Sequence, residues 1–262
     1  MEKEVKNKQQ NHIGKIILFI VVGILIFSVI MFVINLVLGL NQKKDYKDIS
    51  IQISDDQVKT IQSIDVDMNY GKVNLSNGSQ VSGKFWGDAE NFSYIVENGT
   101  LKIKEKNDIK VHFGFGFNTE TQELDLSIPD NLNISVKTNA GNITSNDITS
   151  DKQVKIETNA GNIDVKGNNG SSFTLDTDAG GVKIDSSNIN NLNCETNAGN
   201  VSLNYLTATQ VDCETDAGNI TGDNNIIDSS NFKTDAGNIE LNGKFKNQPT
   251  TKTSFGSIKI NE

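Results

Sequence analysis

The sequence predicts an all-β protein, a parallel β-helix or solenoid built from ~19-residue coils, preceded by one N-terminal transmembrane α-helix. Three observations predict it. A glycine recurs at a fixed period, apolar residues alternate on both sides of that glycine, and a long apolar stretch with a single charge lies near the start of the chain.

The elements follow in chain order. Residues 1–12 read as a cytoplasmic tail and 13–40 as a membrane span. The span IGKIILFIVVGILIFSVIMFVINLVLGL carries one charge, Lys15, near its beginning. A helix rises ~1.5 Å per residue, so about 20 apolar residues cross a bilayer and this stretch suffices with tilt. It ends LVLGLNQKK, without the small-residue site of a cleavable signal peptide, so the anchor is retained. Lys3, Lys6, Lys8 and Lys15 stand on one side, Lys43, Lys44 and Lys47 on the other. That positive-inside bias is slight. The length and β-rich pattern of the remainder place it outside the cell, with the N-terminus in the cytoplasm. Residues 41–48 form a tether, 49–133 irregular N-terminal β coils and a cap, and 134–262 the regular repeats.

The repeats centre on Gly141, Gly161, Gly180, Gly199, Gly218, Gly237 and Gly256, spaced by 20 and then five times by 19. Variants of TNAGNI surround them. Such a period marks a solenoid, in which each repeat buries its apolar face against its neighbours. Five residues before the glycine stand Val136, Ile156, Leu175, Cys194, Cys213 and Phe232. Two after it stand Ile143, Ile163, Val182, Val201, Ile220, Ile239 and Ile258. Four after it the column is apolar except at Ser145 and Gly222. Period-two alternation on both sides means strands with one face inward. The inward positions are odd before the glycine (−7, −5, −3 and −1) and even after it (+2 and +4). A straight strand cannot do this, so the chain bends at the glycine, with a small inward Ala before it and a turn-forming Asn after it. IDVDMNYGKVNL at 64–75 fits the same frame around Gly71, and FSYIVENGTLKI at 92–103 fits it around Gly99. In the last repeat, TSFGSI, Phe255 replaces the Ala, as expected of a terminal coil.

Composition narrows the function classes. The chain has 262 residues, a net charge of −9 and no arginine. Phosphate recognition needs clustered cations, so no nucleic-acid partner is expected. Cys194 and Cys213 share one inward column on adjacent coils. They suit either a disulfide outside the cell or a buried thiol pair, and the thiol pair is favoured because stacked coils gain little from a staple. Outward columns stack Asp176, Asp178, Glu195, Glu214, Asp216 and Asp235 on one face. These read as a weak candidate cation strip or as a solvated acidic face. The second is favoured, because no calcium-loop or nonapeptide metal motif occurs. VHFGFGF at 111–117 joins Tyr70, Phe85, Trp86, Phe92 and Tyr94 in an aromatic region, read as a cap over the N-terminal end rather than a sugar platform. His112 is the one histidine beyond the span, and no nucleophile–base motif is visible, so neither enzyme chemistry nor a cofactor is expected.

The run LDLSIPDNLNISVKTNAGNI at 124–143, followed by T-x-x-G-[ND]-[IV] repeats, resembles a bacterial family of membrane-anchored, adhesin-type β-strand-repeat proteins with a domain of unknown function. The resemblance covers residues 50–262. It implies a cell-envelope protein of low-GC Gram-positive bacteria, some of whose relatives are encoded beside envelope-stress regulators, and it implies no catalytic residues. The expectation is therefore a non-enzymatic adhesin or envelope interaction module. Its partners would be an envelope or surface ligand, the lipid bilayer through 13–40 and a membrane regulatory protein. An accessory role in envelope-stress sensing is the alternative, and a polysaccharide-degrading β-helix enzyme ranks below both.

Overall fold

The computed structural model describes residues 46–106 and 121–261. The expected membrane span at 13–40 and the aromatic run at 111–117 lie outside the described residues. Among the described residues, no helix is long and apolar enough to cross a membrane. The chain begins with β1 (Tyr46–Ile51), a single helical turn α1 (Asp55–Val58), β2 (Ser63–Tyr70), β3 (Lys72–Asn77) and β4 (Ser82–Asp88). It continues with β5 (Phe92–Glu97), β6 (Thr100–Glu105), β7 (Glu123–Ile128), β8 (Asn133–Ala140), β9 (Ile143–Asn146), β10 (Thr149–Ala160) and β11 (Ile163–Lys166).

Long and short strands then alternate through Asn169–Ala179, Val182–Asp185, Asn188–Ala198, Val201–Asn204 and Thr207–Ala217. The strand Ile220–Ala236 fuses one short and one long segment, and Thr250–Phe255 and Ile258–Asn261 form the last coil. The result is a parallel β-solenoid of about seven turns.

The strands stack in two ribbons that meet at the glycine corner. In one, β6 lies on β2, β2 on β8 and β8 on β10, all parallel. In the other, β7 lies on β3, β3 on β9 and β9 on β11, again parallel. Stacking order therefore departs from chain order, because the coil formed by β6 and β7 lies outside the one formed by β2 and β3. Antiparallel pairing closes that end: β1 pairs with β4, β4 with β7, and β5 with β6.

Gly71 is a corner in register with Gly141, as the repeat frame predicts. Gly99 is not. It follows Asn98 in a hairpin between β5 and β6, and both residues have positive φ, 51° and 73°. An Asn-Gly pair between alternating strands favours this tight turn over a coil corner.

Register holds the inward columns together from coil to coil. Val136, Ile156, Leu175, Cys194, Cys213 and Phe232 are neighbours in one buried ladder. Fully burying such aliphatic side chains contributes roughly 1.5–3 kcal/mol each. The cap adds its own packing, with the rings of Phe85 and Phe92 stacked at 3.9 Å in the core.

Candidate functional site

Four residues of TNAGNI, the Thr, the Gly, the following Asn and the Ile, have a task at the first corner. The glycine is needed for space more than for conformation, since φ is 159° at Gly141 and Gly161, close to extended. A Cβ on Gly161 would lie 2.1 Å from the carbonyl oxygen of Gly141, and one on Gly180 would lie 1.9 Å from that of Gly161. The same clash recurs at Gly199, Gly218, Gly237 and Gly256. The stacked glycines therefore bring backbone against backbone. Their amides bridge the coils: Gly161 N–H donates to the Ala179 carbonyl at 3.0 Å and Gly237 N–H to that of Phe255 at 2.9 Å.

The buried threonine three positions earlier serves the glycine of the preceding coil. Thr158, Thr177, Thr196, Thr215, Thr234 and Thr253 each donate a hydroxyl to that carbonyl, at 2.8–3.1 Å. Thr138, which stacks on the cap, has no partner for its hydroxyl among the described residues.

Two expectations are corrected at this corner. The asparagines after the glycine do not take the left-handed conformation, for none of them has positive φ. Instead Asn162 N–H donates to Asn142 Oδ1 at 2.9 Å, and Asn219 and Asn238 repeat the bond to Asn200 and Asn219 at 2.8 Å. The alanines Ala140, Ala160, Ala179, Ala198, Ala217 and Ala236 point outward. The parity change needs two consecutive exposed residues, and −2 and −1 are those two.

A second corner lies six residues after the glycine, and sequence reasoning missed it. Asp147, Gly167, Ser186, Tyr205 and Asn224 all have φ between 50° and 67°. Asp, Gly and Asn tolerate this region, so their recurrence at one offset was the available signal. The next position holds two buried asparagines. Asn168 donates from Nδ2 to Ser145 Oγ at 2.6 Å and accepts Ile148 N–H at 3.0 Å. Asn225 donates to the Leu203 carbonyl at 2.9 Å and accepts Leu206 N–H at 2.9 Å. Ser145 and Gly222, the exceptions in the apolar column, are explained by these amides. Ser145 bonds Asn168, and a Cβ on Gly222 would lie 2.7 Å from Asn225 Nδ2.

The six candidate carboxylates stand on two outward columns. Asp176, Glu195 and Glu214 continue a column that runs Lys137, Glu157, Asp176, Glu195, Glu214, Lys233. Lys155 reaches Glu157 at 2.8 Å, and Lys233 is ion-paired to Glu214. Among the described residues, Asp176 and Glu195 have no such ion-pair partner. Burial first, then Glu157 and Asp178, push the Asp176 carboxyl above its usual range. Burial first, then Asp176, Glu214 and Asp216, do the same to Glu195. Asp178, Asp216 and Asp235 are exposed on the second column, where Asn197 donates to Asp178 at 3.0 Å. Among the described residues, no three His, Cys, Asp or Glu side chains come together as a metal-holding group.

The favoured thiol pair is corrected as well. Cys194 and Cys213 form a disulfide across adjacent coils. In-register pairing sets their Cα atoms 4.7 Å apart, inside the range a disulfide spans. At the cap, Glu105 accepts the N–H groups of Asn69 and Tyr70 at 2.8 and 3.3 Å, and Gln122 Nε2 donates to it at 2.8 Å.

These features define a class, a parallel β-solenoid whose repeats are devoted to stacking and whose outer faces are polar. Residues 46–262 match the Toastrack DUF4097 family, and the chain belongs to it. The fold is similar to the crystal structure of a "putative adhesin" from Bacteroides fragilis NCTC 9343, with 17% sequence identity and a TM-score of 0.62 over 83% of this chain and 98% of that one. It is also similar to a "putative lipid binding protein" from Parabacteroides distasonis ATCC 8503, with 17% identity and a TM-score of 0.50 over 83% and 97%. At these identities the likeness is one of fold. No curated protein matches the chain.

Proposed function

We propose that the protein is a membrane-anchored, extracytoplasmic and non-enzymatic interaction module of the cell envelope, an adhesin in the broad sense. The observation that carries this reading is the division of labour in the repeat. Thr, Gly, the following Asn and Ile are consumed in stacking, which leaves the polar outer faces for contact. The apolar stretch 13–40 supports an anchor with the N-terminus in the cytoplasm, and the Cys194–Cys213 disulfide supports an oxidising compartment for the solenoid. The adhesin name of a structural neighbour accords with it.

The partners on this reading are an envelope or surface ligand, the bilayer and a membrane regulatory protein. Deleting residues 46–262 in the producing cell tests it. The reading expects weaker attachment to surfaces or cells and an unchanged response to envelope-damaging antibiotics. An altered stress response with normal attachment would instead support an accessory of envelope-stress sensing. Release of reducing ends from cell-wall glycans by the purified chain would contradict the non-enzymatic assignment.

A further inference from the structure

The second corner changes character toward the C-terminal end. Gly222 pairs with Leu241 but Asn225 pairs with Gly243, so Asp223 and Asn224 oppose the single residue Asn242. That bulge borders an open groove of about 350 Å³, with Asn224, Ile226, Asn242, Lys244 and Asn261 in its walls. Bulges re-aim side chains and are over-represented beside functional sites.

The groove presents amide side-chain atoms and one ammonium, Lys244 Nζ. Asn224 Nδ2 donates to Asp223 Oδ2 at 2.8 Å, and Asn261 Nδ2 donates to Asn242 Oδ1. Asn224 Oδ1, Asn242 Nδ2, Asn261 Oδ1 and Lys244 Nζ take no partner among the described residues. Ile226 is 52% exposed beside them, where the preceding coil has Thr207.

Tyr205 stands on that preceding coil, with its N–H donating to the Asp223 carbonyl at 2.9 Å. Its φ is 52° and its side chain is 59% exposed. A bulky aromatic is a costly choice in the left-handed region, and the coils on either side make the same turn with Ser186 and Asn224. The turn does not need the ring.

We propose that this groove, together with the exposed Tyr205 of the preceding coil, binds a neutral oligosaccharide. Amide side chains offer donors and acceptors without charge, which matches hydroxyl groups. The ring of Tyr205 and the side chain of Ile226 offer apolar surface to the C–H face of a sugar. Asp223 on the same corner disfavours a polyanion, and the Lys244 ammonium donates to a sugar hydroxyl. This rests on the reading of the solenoid as an interaction module and gives that module a ligand class.

The test is calorimetric titration of the full-length chain in lipid nanodiscs with cellotetraose and with chitotetraose. At least one sugar is expected to bind with a dissociation constant at or below about 1 mM. Tyr205→Asn is expected to weaken binding by about tenfold or more, while the melting temperature holds or rises, because Asn suits the left-handed turn. Ile226→Thr, which copies Thr207, is expected to weaken it by about threefold or more. Absence of heat with both sugars, or unchanged affinity in Tyr205→Asn, overturns the proposal. If the chain still attaches cells while ignoring both sugars, this site fails and the interaction reading stands. If it binds sugar while attachment is unaffected by its deletion, the site stands and the adhesin reading fails.

Discussion

The regular coils and the N-terminal cap face one problem and solve it differently. Each must satisfy backbone donors and acceptors at a bend, where the strand ladder is interrupted. The coils repeat one solution, a stacked glycine, a threonine hydroxyl on its carbonyl and an asparagine amide beside it, with Gly181 and Ser257 standing where the other coils have that asparagine. The cap solves each junction once. Glu105 takes the N–H groups of Asn69 and Tyr70, Gln122 takes Asp88 N–H, and an Asn98-Gly99 turn reverses the chain. Thr138, at the joint between the two regions, is left without a hydroxyl partner among the described residues. Repetition makes a solution visible in sequence, and a single-use network hides it.

The sharpest contrast comes from adding one methyl group in each region. Gly180→Ala would place Cβ 1.9 Å from the Gly161 carbonyl oxygen, where neither backbone can yield. The expected loss is about 4 kcal/mol or more in chemical denaturation. Gly99→Ala in the cap, with its nearest neighbour at 3.0 Å and φ +73°, is expected to cost only about 1 kcal/mol. Equal losses would erase the distinction between a stacking glycine and a turn glycine.

Next in size is the staple. Cys194 and Cys213 are 19 residues apart, and reducing their bond is expected to remove about 3 kcal/mol. Hydrogen exchange should then rise in the coils around Leu192–Thr215 and stay unchanged in β1 to β7.

Asn225→Ala would strand the Leu203 carbonyl and the Leu206 N–H, for a loss of about 2 kcal/mol by thermal or chemical unfolding.

The smallest effect concerns the acidic ridge. The folded chain holds protons on Asp176 and Glu195 more tightly than the unfolded chain, because both carboxyls are pushed up. Stability therefore rises as the pH falls into the window that opens above their ordinary values, 3.8 and 4.5, and it is lower with both ionised. Solvent screening keeps the change small. Melting temperatures recorded across that window should show it, and Glu195→Gln should flatten the profile.

How much was legible follows from the same contrast. The all-β solenoid, its period and its inward Ile/Val columns were readable, because every coil repeats the same stacking constraint. The glycines were found, but their reason was misjudged. Sequence suggests flexibility, whereas the clash with the preceding carbonyl appears only once coils are stacked. The outward alanines were misassigned by carrying the alternation one residue too far. The second corner escaped because Ser186 and Tyr205 interrupt the left-handed-tolerant Asp147, Gly167 and Asn224 at that offset. The cap was least legible: pairing of β2 with both β6 and β8 depends on a stacking order that chain order does not reveal. Of the site residues, the six carboxylates recur at fixed offsets and so could be named from the repeat frame, whereas the groove depends on a bulge that the frame conceals.

The most direct test of the stacking account is amide hydrogen exchange at the corner glycines, read by NMR. The N–H groups of Gly161, Gly180, Gly218 and Gly237 each donate to a carbonyl on the following coil, at 2.9–3.2 Å. They are expected to exchange as slowly as the strand amides of Ile156 and Leu175. Exchange at the rate of open turns would contradict the claim that these corners are closed by backbone stacking.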